Sequence, residues 1–265
     1  MQRRMFSFFS FFILLGCISI LSAHDDFIIY TPPKCGTHLI AKAMALITGE
    51  EPTYLLSELG SLENALNLVS EAKERHSFVI AHNLKDPVLK SLTANGYKVI
   101  FILRDPRDHL VSMAHWFLGG EWHWMRASQI KDKEALITEL ITGEQFQWKC
   151  YEGCIGGRLK SLQKLNQEQV WVTRFESLVG PQGNGSEKEQ TIEIRRLASF
   201  IGKKISLEEA KTIGASLFGN TATFRKGEVG SWKEHFTEAQ VALYKAIYKK
   251  KLVKLGYESG YKWKK

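Results

Sequence analysis

The chain reads as an α/β protein of three layers, helices on both faces of a central, mostly parallel sheet. Three observations predict it. Short apolar runs at residues 27–30, 77–81, 98–103 and 170–173 alternate with helical patterns, the arrangement that builds a parallel sheet covered on both sides. The strongest run, Val99-Ile100-Phe101-Ile102-Leu103, has no polar residue within it, as a strand buried on both faces requires. And the stretch Tyr30-Thr31-Pro32-Pro33-Lys34-Cys35-Gly36-Thr37-His38 joins an apolar run to an amphipathic one, Leu39 to Ile47, which reads as strand, tight loop and helix.

At 265 residues the chain can bury one substantial core, and a single domain is expected over 25–265. The formal charge is +8. Such a balance suits nucleic acid, a membrane surface or an anionic small molecule. The cations are scattered except in the Lys- and Tyr-rich stretch Lys245 to Lys265. That stretch reads as a solvated helix face and terminus, so no nucleic-acid partner is expected. Residues 1–24 form a leader: Gln2-Arg3-Arg4 precede an uncharged run from Met5 to Ala23. Arginines before an apolar run predict a signal peptide or a membrane anchor. The expected location is membrane-anchored or secretory, with membrane contact through 1–24. The alternative is a cytoplasmic protein with an additional apolar helix.

The elements follow in order. The helix after Gly36 is expected to close at Gly49-Glu50-Glu51-Pro52. Residues 59–72 carry Leu62, Ala65, Leu66 and Val69 at helical spacing. The second strand, 77–81, ends at His82. Asp86-Pro87 opens a helix to Ala94, and Asn95-Gly96 is a turn. The third strand ends on Arg104, and Asp105-Pro106 starts the next helix, with proline acceptable in its first turn. Residues 118–149 break the rhythm. Gly119 to Trp124 read as an irregular aromatic insert that either covers a site or packs as a surface loop. A helix is expected over 151–165, weakened by Gly153, Gly156 and Gly157. Residues 170–173 are the fourth strand, and Asn184-Gly185-Ser186 is a glycosylation sequon. Helices over 191–201 and 206–213, an irregular stretch over 214–232, and a helix capped by Thr237 complete the chain.

Cys150 and Cys154 lie four apart, on one face of a helix. That spacing suits a disulfide poorly, and no second Cys or His pair accompanies it in sequence. Two unpaired thiols are the expectation.

In open α/β sheets the ligand lies beyond the carboxyl ends of the strands. Lys34, His82 and Arg104 each follow an apolar strand. Gly36 can take backbone angles that bulkier residues resist. The first amides of the following helix lack intrahelical partners. With Lys34 and Thr37 they make a receptor for an anion, most simply a phosphate. The GxxxxGK[ST] order of nucleotide triphosphatases is absent. An arginine fork at Arg104 and a hydroxyl two turns into the next helix, at Ser112, suit a terminal phosphate.

Two further stretches, Phe101 to His115 and Phe224 to Thr237, complete a set of three ordered motifs. With them the chain resembles the PAPS-dependent sulfotransferases, especially the cytosolic type, from about Phe27 to Tyr257. The resemblance implies a P-loop-like fold, PAPS as co-substrate, no metal, and a small-molecule or carbohydrate acceptor. It implies that Lys34, Cys35, Gly36, Thr37 and His38 receive the 5′-phosphosulfate. It places Arg104, Ser112, Arg225, Lys226 and Gly227 around the 3′-phosphate, with Trp232 packing the late loop down. His82 becomes the general base, and Lys34 the cation that stabilises the leaving phosphate. The chain departs from the family pattern in carrying Cys35 for serine, His38 for threonine, Leu39 for tryptophan, Ile80 for lysine and Phe175 for tyrosine. The main-chain amide of Cys35 is expected to remain available to phosphate. The competing readings are a non-catalytic nucleotide- or anion-binding protein of the same fold, and a small-molecule kinase. The kinase would need the missing loop and a magnesium carboxylate.

Overall fold

The computed structural model describes residues 24–55, 62–119, 129–145, 149–219 and 226–265. Five parallel strands form one sheet in the order β2-β3-β1-β4-β5. They are β1 Phe27–Tyr30, β2 Glu51–Leu55, β3 Ser77–Ala81, β4 Lys98–Leu103 and β5 Val170–Arg174. Every residue of β1 is buried, as is all of β3 and β4 beyond the first residue. The apolar runs are continuous because both faces of these central strands are covered.

Four strands stand where the sequence puts them. The edge strand β2 is a correction: Glu51 and Pro52, expected to close a helix, begin a strand that pairs with β3 from Glu51↔Ser77 to Leu55↔Ala81. A proline is tolerated there because an edge strand leaves one side of its backbone unpaired.

The helices are α1 Thr37–Thr48, α2 Leu62–Glu74, α3 Asp86–Ala94, α4 Pro106–Leu118, α5 Lys133–Thr142, α6 Gly157–Leu162, α7 Phe175–Leu178, α8 Glu187–Phe200, α9 Leu207–Leu217, α10 Trp232–His235 and α11 Glu238–Lys254. Helix α5 lies inside the stretch read as an irregular insert. Asp132 caps it by accepting from the Ala135 amide, Gly143 ends it at φ 63°, and it buries Leu136, Ile137, Leu140 and Ile141. Of that insert, 120–128 and 146–148, with the aromatic Trp122 and Trp124, lie outside the described residues. Tyr151–Gly156 is a π-helical turn running into α6. A Cβ on Gly156 would stand 2.9 Å from the Tyr151 ring, so that glycine permits a close approach. Capping boxes at Ser206 and Thr237 open α9 and α11. The sequon Asn184 is exposed, and Ser186 caps α8.

Residues 1–23, all but the last residue of the expected leader, lie outside the described residues. Among those described, no helix is long and apolar enough to cross a membrane.

Candidate functional site

The register sets Tyr30 of β1 between Ala81 of β3 and Phe101 of β4. The loop after β1 therefore emerges between His82, one residue past β3, and Arg104, one residue past β4. The chain passes from β3 to β4 across β1, and such a reversal opens a crevice at the strands' carboxyl ends.

The loop is shaped by two left-handed residues, Lys34 at φ 65° and Gly36 at φ 104°. A non-glycine residue at such an angle costs roughly 1–3 kcal/mol, and strain of this kind gathers where a loop must hold a ligand. Gly36 is also held by space. A Cβ there would meet Phe175 Cδ2 at 2.7 Å and Ile102 Cδ1 at 3.1 Å. The first intrahelical bond of α1 runs from the Ile40 amide to the Gly36 carbonyl, so the amides from Gly36 to Leu39 open the helix without an intrahelical acceptor. Thr37, buried, meets the Thr31 hydroxyl at 3.4 Å. One expectation is corrected: the Cys35 amide donates to the Pro32 carbonyl at 3.3 Å and is engaged in the turn. Its thiol is fully buried, and that burial pushes its pKa up. Cys35 therefore shapes the loop from within.

Contacts from the neighbouring strand ends and from α4 tie functional groups to this loop. His82 donates from Nδ1 to the Thr31 carbonyl at 2.8 Å, which leaves Nε2 as the nitrogen carrying the lone pair. Desolvation lowers the His82 pKa, and Arg158 and His38 lower it further against that hydrogen bond. The imidazole is thus neutral near pH 7. Arg104, 8% exposed, donates to the carbonyls of Lys34 at 3.3 Å and Glu228 at 3.2 Å. It lies 4.2 Å over the Phe175 ring. Its Nε is buried with no partner among the described residues, a donor that fits a further acceptor such as a phosphate oxygen. The Lys34 ammonium sits 5.0 Å over the Trp116 ring of α4. His38 is held neutral by desolvation and by Lys34.

Ser112 lies half-buried on α4. Lys226 pairs with Glu234 at 2.9 Å, and Gly227 takes φ 65° in the late loop that Arg104 reaches through Glu228. Arg225 lies outside the described residues. The structure thus brings Lys34 to His38, His82 and Arg104 together around one loop, and joins the stretch from Lys226 to Gly230 to them through Arg104.

Sequence reasoning passed over the residues that hold these loops. Asp108, buried in the first turn of α4, accepts from the amides of Gly230 and Trp232, each at 2.7 Å, and from the Ser231 hydroxyl at 3.2 Å. Desolvation raises its pKa. Arg107 pairs with Asp105 and Glu258 and stacks on Trp232 and Trp263. The Trp232 ring is buried at the end of the late loop against Arg107, Phe236 and Trp263. Glu176 accepts from the Asp105 amide at 2.7 Å and the Tyr257 hydroxyl at 3.2 Å, and burial raises its pKa to about 7. Arg158 donates to the His82 carbonyl at 2.7 Å. The available signal was the density of charge in Arg104-Asp105-Pro106-Arg107-Asp108. Four charged residues opening a helix after a buried strand must find partners inside.

A parallel sheet with unpaired helix-opening amides after its first strand, and a neutral imidazole at the neighbouring strand end, suits group transfer. The comparisons with known proteins give the family. Residues 24–256 match the sulfotransferase domain; the chain belongs to that family and is a sulfotransferase. It is similar to sulfotransferase 2A1 of Rattus norvegicus, 22% identical with 89% of this chain and 87% of the relative covered. It is likewise similar to the 3-alpha-hydroxysteroid sulfotransferase of Cavia porcellus, 24% identical with coverage of 86% and 84%. Among solved structures, mouse sulfotransferase SULT7A1 complexed with PAP superposes with a TM-score of 0.63 at 19% identity, covering 86% of this chain and 84% of the other. A retinol dehydratase complex with androsterone and PAP gives 0.58 at 15% identity, covering 86% and 80%.

Proposed function

We propose that this chain transfers the sulfuryl group of PAPS to a hydroxyl of a small acceptor, with His82 as general base and Lys34 stabilising the departing phosphate. PAPS is the co-substrate of the family. The carrying observation is the hydrogen bond from His82 Nδ1 to the Thr31 carbonyl. It fixes the tautomer that leaves the lone pair on Nε2, as the proposed base requires, and anchors the imidazole to the loop that would receive the donor.

Nε2 of His82 takes the acceptor proton as the acceptor oxygen attacks sulfur; the S–O bond to the 5′-phosphate breaks, and the electron pair leaves with the bisphosphate. Lys34 and the amides that open α1 stabilise the charge developing on that oxygen. Arg104, with Ser112, Arg225, Lys226 and Gly227, holds the 3′-phosphate. Lys226 would exchange its ion pair with Glu234 for the nucleotide. A small hydroxyl acceptor is supported by the steroid named for one relative and the androsterone bound in one structural neighbour. Residues 1–24 are proposed as a leader to the secretory route or the membrane, which cell fractionation with and without them would decide.

The test is calorimetric binding of adenosine 3′,5′-bisphosphate, paired with turnover of labelled PAPS over a panel of alcohols and phenols. Removing one charge-assisted contact worth roughly 1.5–3 kcal/mol should weaken the bisphosphate about 10–100-fold in Lys34→Ala and in Arg104→Ala. His82→Ala should bind it normally and lose about 10²–10⁴ in turnover. Normal turnover in His82→Ala would overturn the assignment of the base. Absence of bisphosphate binding by the parent would overturn the whole reading.

A further inference from the structure

Among the described residues, a buried His/Cys cluster beside the crevice takes no part in the proposed transfer. His109 of α4, Cys150 at the start of the π-helical turn and Cys154 within it are 0%, 0% and 3% exposed, and their three donor atoms lie within 4.8 Å of one another. We infer that these residues form a binding site for a single thiophilic divalent cation of the Zn²⁺ type, next to the donor loop and separate from the sulfuryl-transfer chemistry.

Geometry supports this first. His109 Nδ1 stands 3.6 Å from Cys150 Sγ. A tetrahedral zinc with bonds of about 2.3 Å to sulfur and about 2.0–2.1 Å to nitrogen sets an N···S edge of about 3.5–3.6 Å. The two donors already have that separation, and the 4.8 Å limit leaves only a small contraction for the rest.

The surroundings support it independently. His109 Nε2 lies 3.0 Å from the Pro33 carbonyl, so Nε2 carries the proton and Nδ1 turns its lone pair toward the thiols. A ring N–H donated to a backbone carbonyl is the outer contact that fixes the tautomer of a metal-binding histidine. A divalent cation with two thiolates is neutral as a group, which a buried position requires. The Arg158 guanidinium donates to the carbonyls of Gly153 and Cys154 at 2.9 and 2.6 Å and braces the turn that carries the Cys154 sulfur, directly after Cys150. Three protein ligands leave a fourth position. Because Pro33 belongs to the loop that precedes α1, the cation would also stiffen that loop.

The experiment needs no donor or acceptor. The full chain is purified under reducing, chelator-free conditions. Bound zinc is measured by plasma mass spectrometry, and Co²⁺ is titrated into chelator-stripped protein. The expected result is one metal ion per chain, thiolate-to-cobalt charge-transfer absorption and intense visible bands of a tetrahedral centre. The melting temperature should rise by about 5–10 °C at zinc a hundredfold above its Kd. Cys150→Ser/Cys154→Ser should lose the charge-transfer band and the metal equivalent; His109→Asn should weaken binding at least tenfold. No cobalt spectrum and no retained zinc in the parent would overturn the inference, and this reading does not depend on any variant folding. A Cys150–Cys154 disulfide found by mass spectrometry under reducing conditions, or zinc retained in the double-serine chain, would overturn it equally.

Discussion

Gly36→Ala tests whether the loop after β1 is held by backbone conformation and by packing together. Gly36 has φ 104°, where an L-residue is strained by roughly 1–2 kcal/mol. The added Cβ would also stand 2.7 Å from Phe175 Cδ2 and 3.1 Å from Ile102 Cδ1. Ile102 belongs to a central strand, and the Phe175 ring carries Arg104 on its face, so neither can move freely. Overpacking of this kind costs roughly 1–3 kcal/mol, and the two contributions together make roughly 2–5 kcal/mol. Gly49→Ala is the internal control: φ is 82°, and nothing lies within 4 Å of its Cβ position, so only the strain remains. Urea unfolding should show Gly36→Ala less stable than Gly49→Ala by about 1 kcal/mol or more. Calorimetry should show weaker bisphosphate binding only in Gly36→Ala, because displacing Phe175 displaces Arg104. Equal stability losses in the two variants, or unchanged bisphosphate affinity in Gly36→Ala, would refute the reasoning.

With His82 as the proposed base, its lowered pKa should set the acid limb of kcat/KM. The rate should fall only below the ordinary imidazole value near 6.5, and a limb above that value in a pH–rate profile would contradict a desolvated base. Glu176, raised by burial to about 7 from 4.5, is protonated in the fold where the unfolded chain is ionised. Its contribution to stability is fully present below about 4.5 and is lost as pH rises to and through 7, roughly 3 kcal/mol in all. Glu176→Gln should flatten that slope in melts taken across the window. Asp108→Ala strands the amides of Gly230 and Trp232, at roughly 1–3 kcal/mol for each orphaned donor. Hydrogen exchange should quicken at those two amides well before it does in the central strands.

The central strands could be read from composition because burial on both faces demands uninterrupted apolar residues. Ile28, Ile80 and Ile100 announce their environment without any partner being known. Helix α5 was equally legible and was passed over. Asp132, the pairs Leu136-Ile137 and Leu140-Ile141, and Gly143 are a complete cap-to-cap signal, obscured by the aromatic stretch before them. Strand β2 was not legible, since Glu51-Pro52-Thr53 carries no strand pattern and forms one only because β3 offers a free edge.

The sequence by itself determined the alternating architecture, the tight glycine loop after the first strand, and the placement of Lys34, His82 and Arg104 at strand ends. These follow from local rules of periodicity, turn chemistry and strand polarity. Only the tertiary structure decided that His82 presents Nε2, that the Cys35 amide is engaged in its own turn, that Asp108 and Glu176 secure the loops, and that His109 meets two cysteines more than forty residues away in sequence. Those outcomes depend on which groups are driven out of water together, and a buried donor or charge is satisfied by whatever the packing brings beside it.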